Sequence, residues 1–316
     1  MKADAIPDKP FLGILFMLGF CVMAPLGDGL AKYLGAQVSV LLLVVVRFGT
    51  QAIVLLPLSR VLNRSLLLTR RQLWLTFLRT VFHVIGLTTM FTSLLYLPLA
   101  DALAIAFVMP FIMLLLGKFV LHEVVGPHRL AACTVGFIGT LLVIQPNFAT
   151  VGWPALLPLV VAVAFALFML VTRQIAKEVD AITLQGISGA MAIALLAPFL
   201  VWGALTQTKG LMLTAPTDPQ TLWLLVALGL LGTVAHLAMT WSLRLAPSAT
   251  VAPMQYLEIP FGTLIGWLLF QDLPNGLAAL GIVITIAAGL YIIAREQATA
   301  KRLSQQRPQT PAPPAV

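Results

Sequence analysis

Hydrophobic residues fill the chain in long runs, and short polar or Pro/Gly-containing stretches separate these runs. A helix needs about 20 apolar residues to cross the hydrocarbon of a bilayer. Runs of that size predict ten membrane-spanning helices, at residues 11–34, 38–59, 72–96, 99–120, 129–146, 152–173, 181–205, 221–243, 247–270 and 276–294. The uncharged stretch 130–172 is divided at Pro146, because one helix of that length would exceed the thickness of the bilayer. The predicted fold class is an all-α membrane protein with ten transmembrane helices.

The composition excludes an ordinary soluble domain. Of the 316 residues, 60% are hydrophobic and only 9% are charged, whereas soluble domains carry about 25% charged residues. The net charge of +8 does not indicate nucleic-acid binding, because the cations lie between apolar runs and form no continuous basic patch.

The positions of the cations predict the orientation in the membrane. Fifteen of the 19 Lys and Arg residues fall in one set of alternating loops and in both termini, and the opposite set holds only Lys32 and Lys209. Short cytoplasmic loops collect Lys and Arg. We therefore expect a multi-pass protein of a bacterial-type inner membrane, with the N-terminus and the C-terminus in the cytoplasm.

The chain contains a diverged internal repeat. The segment 97–102, Pro110-Phe111 and Glu123 have counterparts in the segment 245–250, Pro260-Phe261 and Asp272, at offsets of about 150 residues. A Gly-containing apolar helix follows each copy. Since five helices per copy is an odd number, the second copy must enter the membrane from the opposite side. This is the inverted-repeat plan of secondary transporters.

These residues resemble the EamA domain of the drug/metabolite transporter (DMT) superfamily. The resemblance covers residues 11–294, and Arg47, Pro110, Glu123 and Pro260 stand where the family pattern has them. It implies two five-helix EamA repeats, at 11–146 and 152–294, between a cytoplasmic N-terminus at 1–10 and a disordered cytoplasmic tail at 295–316.

The second copy departs from the family pattern at three places. It has no arginine that matches Arg47 in helix seven, it ends with Gln271-Asp272 where Glu is usual, and Glu258 lies two residues before Pro260 instead of one. Within the family, the chain looks closest to members that handle riboflavin or nucleoside-like metabolites such as S-adenosylmethionine, with amino-acid exporters behind.

Glu258 is the first candidate for a functional group. An ionisable side chain at membrane depth costs about 2.5–3.5 kcal/mol on insertion scales, so it is expected to have a role or a partner. Glu258 lies about 17 Å along a helix that starts at Pro247, close to the midplane of a ~30 Å core, and Gln255 falls on the same face. The alternative interpretation is a buried Glu258–Arg47 ion pair that only holds two helices together.

Proline and aromatic residues extend this candidate site. Helices four and nine contain prolines that remove backbone donors and free carbonyls, and these helix breaks are Pro110, Pro253 and Pro260. Three aromatic side chains are candidates for stacking on a flat substrate, although packing is an equally simple role for them: Phe107, Tyr256 and Trp241. Helices one, two, three, four, six, eight and nine are expected to line the cavity.

Other polar side chains are assigned to gates, to helix contacts or to the membrane interface. Asp28 and Lys32 are one helical turn apart and are predicted to pair, either as a structural contact or at an outer gate, and Asp101 lies at the outer end of helix four. His83 is assigned to substrate binding or to a hydrogen bond with a neighbouring helix. Arg79 is expected to extend to the cytoplasmic headgroups.

One enzymatic alternative stays open. The segment Gly186-Ile187-Ser188-Gly189 with His236 resembles the Ser/His pair of intramembrane serine proteases, although small-residue motifs also allow membrane helices to approach closely. No cluster of acids with metal-ligand spacing and no phosphate-binding loop appears, so we expect no catalytic site, no metal and no cofactor.

The sequence therefore predicts a secondary transporter, and not an enzyme, that moves a small metabolite by alternating access. Its partners are the substrate, the lipid bilayer and, as a candidate coupling ion, the proton; we expect no nucleic acid and either a monomer or a homodimer. A cavity with few charges and several aromatic residues suits a flat, weakly charged or zwitterionic molecule. The resemblance to the family makes riboflavin or a similar flat vitamin the first substrate expectation.

Overall fold

A computed structural model describes residues 10–109, 111–112, 116, 127–208, 211, 213, 216–245 and 252–305. This part of the chain forms ten α-helices and two short 3₁₀-helices, and it contains no strand. The α-helices are α1 Pro10–Gly35, α2 Val40–Val61, α3 Arg70–Ser93, α4 Leu99–Ala106, α5 Pro127–Val151, α6 Leu157–Ile175, α7 Ala181–Thr206, α8 Pro219–Leu245, α9 Glu258–Phe270 and α10 Gly276–Gln305. The 3₁₀-helices are Trp153–Leu156 and Ala252–Leu257.

Seven helical segments are long and apolar enough to cross a membrane, and they correspond to α1, α2, α3, α5, α6, α7 and α8. The helices α4 and α9 and the apolar part of α10 are shorter within the described residues. The chain is therefore an all-α membrane protein with several spans, and the number of ten spans stays a prediction. The helix α10 continues to Gln305, into the segment that was predicted to be disordered, and residues 306–316 lie outside the described part.

Polar residues at the breaks in the hydrophobic pattern determine where the helices start. Ser39 caps α2, and Thr69 forms a capping box with Gln72 at the start of α3. The Asp180 carboxylate accepts from two backbone N–H groups at the start of α7. Before α8, hydrogen bonds from the Thr221 N–H and hydroxyl lower the pKa of Asp218 below its usual range.

The helices pack in pairs that join the first five helices with the last five. The four most extensive contacts pair α5 with α10, α3 with α6, α1 with α8 and α2 with α7, and α4 also packs on α9. The same set of pairs results when each helix is replaced by its equivalent in the other half of the chain, five helices away. The pair of α1 with α8, for example, becomes the pair of α6 with α3. The packing thus has the two-fold relation that a repeated five-helix unit predicts.

Polar contacts at the two ends of the bundle show the directions of the helices. At one end, salt bridges join the start of α3 and the segments that follow α2 and α6: Arg71–Glu178 at 2.7 Å and Arg64–Asp180 at 3.9 Å. At the other end, Lys32 near the end of α1 contacts Asp272, which follows α9, at 3.0 Å. A hydrogen bond of 2.8 Å joins Thr221 at the start of α8 with Gln37, which follows α1. Helices α3 and α8 therefore start at opposite ends, which is the antiparallel relation of inverted repeats.

Glycine residues allow the paired helices to approach closely. A Cβ atom at Gly189 of α7 would lie 2.9 Å from the backbone nitrogen of Ala52 and 2.9 Å from the carbonyl oxygen of Phe48, both in α2. In the pair α5 and α10, a Cβ at Gly281 would overlap the carbonyl oxygen of Gly139. Small residues have this role in membrane-helix packing generally.

We predict that Gly189→Ala destabilises the protein by about 1–3 kcal/mol, because backbone atoms of α2 cannot move away from the added methyl group without separating the two helices. The melting temperature in detergent is the measurement. Gly276→Ala is the matched control, since a Cβ at Gly276 has no atom within 4 Å. Equal melting temperatures for the two variants would contradict the described approach of α2 and α7.

Candidate functional site

A cavity lies in the centre of the bundle, among α1, α2, α3, α4, α6, α8, α9 and the 3₁₀-helix before α9. Its empty volume is about 890 Å³, and this figure includes the space at its mouth that is open to solvent. Most of its wall is apolar. Five methionines and four phenylalanines contribute to it: Met23, Met90, Met109, Met169, Met239, Phe20, Phe91, Phe107 and Phe165.

Five polar side chains line this cavity: Asp28, Arg47, His236, Gln255 and Glu258. They come from α1, α2, α8, the second 3₁₀-helix and α9. An apolar wall with a few polar groups is the usual composition of a small-molecule site. The packing of the helices thus brings together polar residues that are more than 200 positions apart in the sequence.

Arg47 holds α2 against α8 through neutral partners. Its Nη1 donates to Gln51 Oε1 at 3.0 Å, and its Nη2 donates to the carbonyl oxygen of Gly232 at 2.5 Å. The same Nη2 lies 2.8 Å from Nδ1 of His236. Gly232 has to be glycine here, because a Cβ at this position would overlap the guanidinium of Arg47.

The carboxyl groups of the cavity have different neighbours from those expected. In the described part of the chain, no ion pair joins Glu258 with Arg47, so the alternative of a helix-locking pair between these two residues is wrong. The predicted pairing of Lys32 with Asp28 is wrong as well. Lys32 Nζ instead contacts Asp272 at 3.0 Å and the Leu97 carbonyl oxygen at 2.9 Å, while Asp28 faces the cavity.

Neither Asp28 nor Glu258 receives a hydrogen bond from any residue in the described ranges. Glu258 is 9% exposed and is the first residue of α9. The charge of Arg47 acts on Asp28 in the same cavity. Glu258 has Asp28 as its charged neighbour, so this carboxyl group needs a proton, a donor or a cation from elsewhere, since an unpaired buried charge is costly. Their arrangement therefore favours an occupant that carries hydrogen-bond donors.

Arg79 does not extend to the lipid headgroups, and that expectation is wrong. Its side chain is 0% exposed, and its Nε and Nη1 donate to the hydroxyl groups of Thr172 and Ser188 at 2.8 and 2.7 Å. The guanidinium lies over the ring of Phe168, 4.5 Å from its centroid. It therefore joins α3 to α6 and α7 instead of anchoring α3 at the interface.

The remaining predicted residues lie outside the cavity wall. The buried His83 stacks against His236, with ring centroids 4.5 Å apart. Tyr256 packs on Phe107, which lines the cavity, at 5.5 Å, and Trp241 packs on Phe16 at 5.3 Å. His83 and Tyr256 therefore contact residues of the cavity wall, whereas Trp241 packs away from it.

The gate residue and the helix breaks have distinct positions. Asp101 accepts a hydrogen bond of 2.9 Å from Asn147 near the Lys32 end of the bundle. Pro253 lies in the 3₁₀-helix before α9, and Pro260 lies in the first turn of α9. The chain thus changes its helical geometry immediately before Glu258. Pro110 and Glu123 lie outside the described residues.

The Ser188 and His236 side chains of the protease alternative have other partners. Ser188 Oγ accepts from Arg79, and Nδ1 of His236 faces Arg47. Within the ranges described, no hydrogen bond connects the two residues. His236 lines the cavity, whereas the sequence pattern indicated it only as a partner of Ser188. His236 lies one helical turn after Gly232, and Arg47 donates to the carbonyl oxygen of Gly232. This spacing from a glycine is the sequence feature that could have indicated that His236 faces the cavity.

Comparison with known proteins identifies relatives along nearly the whole chain. The EamA-like transporter family matches residues 11–145 and 152–295. A riboflavin transporter of Rhizobium johnstonii is 32% identical over 225 residues, 71% of each chain. An S-adenosylmethionine uptake transporter of Rickettsia prowazekii is 24% identical over 285 residues, 90% of this chain and 93% of the relative.

Further similarities extend over still more of the chain. A riboflavin transporter of Vibrio cholerae is 24% identical over 302 residues, 94% of this chain and 98% of the relative. A solved crystal structure covers 92% of this chain and 98% of its own chain with a TM-score of 0.62, at 20% identity, and this likeness concerns the fold alone.

We predict that Gly232→Ala displaces the Arg47 guanidinium and destabilises the protein by about 1–3 kcal/mol, because the new methyl group takes the space of that guanidinium. Gly49→Ala is the control, since its Cβ would meet only Ile193 Cδ1 at an ordinary 3.8 Å. In a double-mutant cycle measured by thermal unfolding, Gly232→Ala and Arg47→Met should be strongly non-additive. Additive losses would show that the two residues do not share one contact.

Proposed function

The chain belongs to the EamA-like transporter family, and from this membership we propose that it moves a small metabolite across a bacterial inner membrane by alternating access. It is a membrane transporter of the DMT superfamily. The observation that carries the proposal is the central cavity, which presents Asp28, Glu258, Arg47, Gln255 and His236 in an otherwise apolar wall. A cavity near the middle of a bundle of inverted repeats is where secondary transporters bind their substrates.

Riboflavin is the first substrate that we propose. Relatives named as riboflavin transporters match 71% and 94% of the chain. The cavity suits a flat molecule because phenylalanine and methionine side chains contribute to its largely apolar wall. S-adenosylmethionine is the second proposal, and amino acids follow. The name of a relative supports the second proposal too, so transport measurements have to decide between the two.

The distribution of charge supports an orientation with both termini in the cytoplasm. The end of the bundle that carries Arg64, Arg71 and Arg244 contains more cations than the end with Lys32, which is paired with Asp272. Cationic loops favour the cytoplasmic side. We assign the Lys32–Asp272 contact to the outer side, where it joins the repeats that we propose at 11–146 and 152–294.

Glu258 is the proposed coupling residue. Its carboxyl group lines the cavity without a hydrogen bond from the described residues, so it can exchange a proton or bind a donor group of the substrate. Glu258 immediately follows the change from 3₁₀- to α-helix. A change in the geometry of this segment would move the carboxyl group relative to the cavity.

We predict that the protein restores growth of a riboflavin auxotroph that lacks its own riboflavin uptake system, at limiting riboflavin. A strain that depends on S-adenosylmethionine uptake is tested in parallel, and immunoblots verify equal amounts of protein in the membrane. Failure to support growth on riboflavin would overturn the first substrate proposal. Rescue in the second strain alone would assign S-adenosylmethionine instead.

We predict that Glu258→Gln reduces uptake at least about tenfold and removes its pH dependence, because the amide can neither take up a proton nor offer two acceptor oxygens. The measurement is substrate flux in right-side-out and inside-out vesicles over a range of pH. Glu178→Gln is the matched control, since Glu178 pairs with Arg71 at an exposed end of the bundle. Unchanged flux and pH dependence in Glu258→Gln would remove this residue from both proposed roles.

A further inference from the structure

The imidazole of His236 lines the cavity, and its two nitrogen atoms have different surroundings. Nδ1 lies 2.8 Å from Arg47 Nη2 and 3.2 Å from the Gly232 carbonyl oxygen. Nε2 is buried and has no hydrogen-bond partner in the described part of the chain. The residue is 6% exposed. A buried polar atom of this kind calls for a partner, because an unsatisfied buried donor or acceptor destabilises the folded protein.

The contact with Arg47 determines which nitrogen of His236 carries the proton. A guanidinium is a donor only and keeps its proton in proteins, so its short contact with Nδ1 requires a lone pair on Nδ1. A proton on Nδ1 would point two donors at each other. The shorter contact, with Arg47 at 2.8 Å, outweighs the alternative in which Nδ1 donates to the Gly232 carbonyl oxygen at 3.2 Å. We therefore infer that the neutral imidazole carries its proton on Nε2, which makes that atom a hydrogen-bond donor.

Neighbouring groups hold both partners in place. Arg47 is 2% exposed and is fixed by Gln51 and by the Gly232 carbonyl oxygen, so it cannot turn away from His236. The ring of His83 stacks on His236 at 4.5 Å with an interplanar angle of 28°, and Phe20 contacts it edge-on at 5.6 Å. The imidazole is thus confined by packing as well as by its hydrogen bond.

We propose that His236 is a specificity-determining residue that donates its Nε2 hydrogen to an acceptor atom on the ring system of the transported molecule. This inference rests on the proposed function, since it assumes that the cavity is the transport site. Arg47 and His83 are positioning residues, because they fix the tautomer and the orientation of His236 without a need to touch the substrate.

The proposal narrows the class of substrate. His236 lines the same cavity as the carboxyl groups of Asp28 and Glu258, which supply acceptors. Because Nε2 of His236 is covered in the conformation described, its donor contact forms when an occupant displaces the side chains that cover it. A flat heterocycle that bears a ring nitrogen or carbonyl acceptor together with N–H or O–H donors matches this set. A purely hydrophobic molecule would leave all three groups unsatisfied, and such polar groups discriminate strongly between ligands.

The test compares two substitutions at His236 in the purified full-length protein. Gln keeps an N–H donor at a similar distance from the backbone, whereas Leu keeps only the apolar bulk. Riboflavin binding is measured through quenching of flavin fluorescence, and the melting temperature of each variant is recorded. We expect Kd to increase at least about tenfold in His236→Leu and less than about threefold in His236→Gln. Equal losses in both variants would reduce His236 to a packing role and overturn the proposal.

The substrate side of the contact is tested with flavin analogues, each of which has one ring acceptor replaced by C–H. For one analogue, the wild-type protein and His236→Leu should bind equally, because the lost contact is already absent. If the ratio of Kd between His236→Leu and the wild-type protein is the same for every analogue as for riboflavin, no single acceptor contacts His236 and the proposal fails.

Failure of the proposed substrate gives a different result. If the wild-type protein does not bind riboflavin, the riboflavin proposal fails, and the same two variants are compared with S-adenosylmethionine, whose adenine carries ring-nitrogen acceptors. A selective loss in His236→Leu would support the role of His236 with this ligand. Equal binding by both variants would overturn the role of His236 itself.

Discussion

The arrangement of the helices depends on two guanidinium groups that are buried inside a membrane bundle. Arg47 and Arg79 are 2% and 0% exposed, and in the described ranges neither forms an ion pair with a carboxylate. A charge at membrane depth is costly unless polar groups surround it. The amide of Gln51 on α2 and the Gly232 carbonyl and His236 imidazole of α8 surround Arg47, and hydroxyl groups of α6 and α7 surround Arg79. These contacts fix α2 against α8 and α3 against α6 and α7. The central cavity lies beside these contacts.

The two-fold relation between the repeats explains why the second arginine is on an unexpected helix. Arg47 and Ser188 each lie eight positions after the N-cap of their helix, Ser39 for α2 and Asp180 for α7. Arg47 reaches to α8, where Gly232 leaves room, whereas Ser188 accepts from Arg79 of α3. The interface of α2 with α8 and the equivalent interface of α7 with α3 therefore each contain one guanidinium. In the first interface it comes from α2, whereas in the second it comes from α3 and not from α7. Each interface also has a histidine, and the two rings stack on each other. The missing arginine of helix seven is replaced functionally by one from α3.

The sequence was sufficient for the helical class and for the residue types of the cavity, because both follow from local patterns. Apolar length predicts spans, and the rarity of charge within them drew attention to Glu258, Arg47 and Asp28, which all line the cavity. Partners were harder to predict. A helical wheel places Lys32 next to Asp28, but the actual partner Asp272 is 240 positions away in the sequence. Arg79 was assigned to the lipid interface for the same reason, since Ser188 becomes its neighbour only through packing.

The packing also constrains how the cavity can open. The principal helix pairs, such as α1 with α8 and α3 with α6, join opposite repeats, so a movement of one whole repeat against the other would separate all of them. The buried hydrogen bonds of Arg47 and Arg79 cross the same interfaces and oppose that separation. In contrast, the Lys32–Asp272 and Arg71–Glu178 pairs are partly exposed, and contacts of this kind contribute only about 0–1 kcal/mol. The ends of the bundle can therefore open at low energetic cost while the arginine contacts persist. The alternating access that we propose is therefore expected to open the ends of the bundle, around interfaces between the repeats that stay closed.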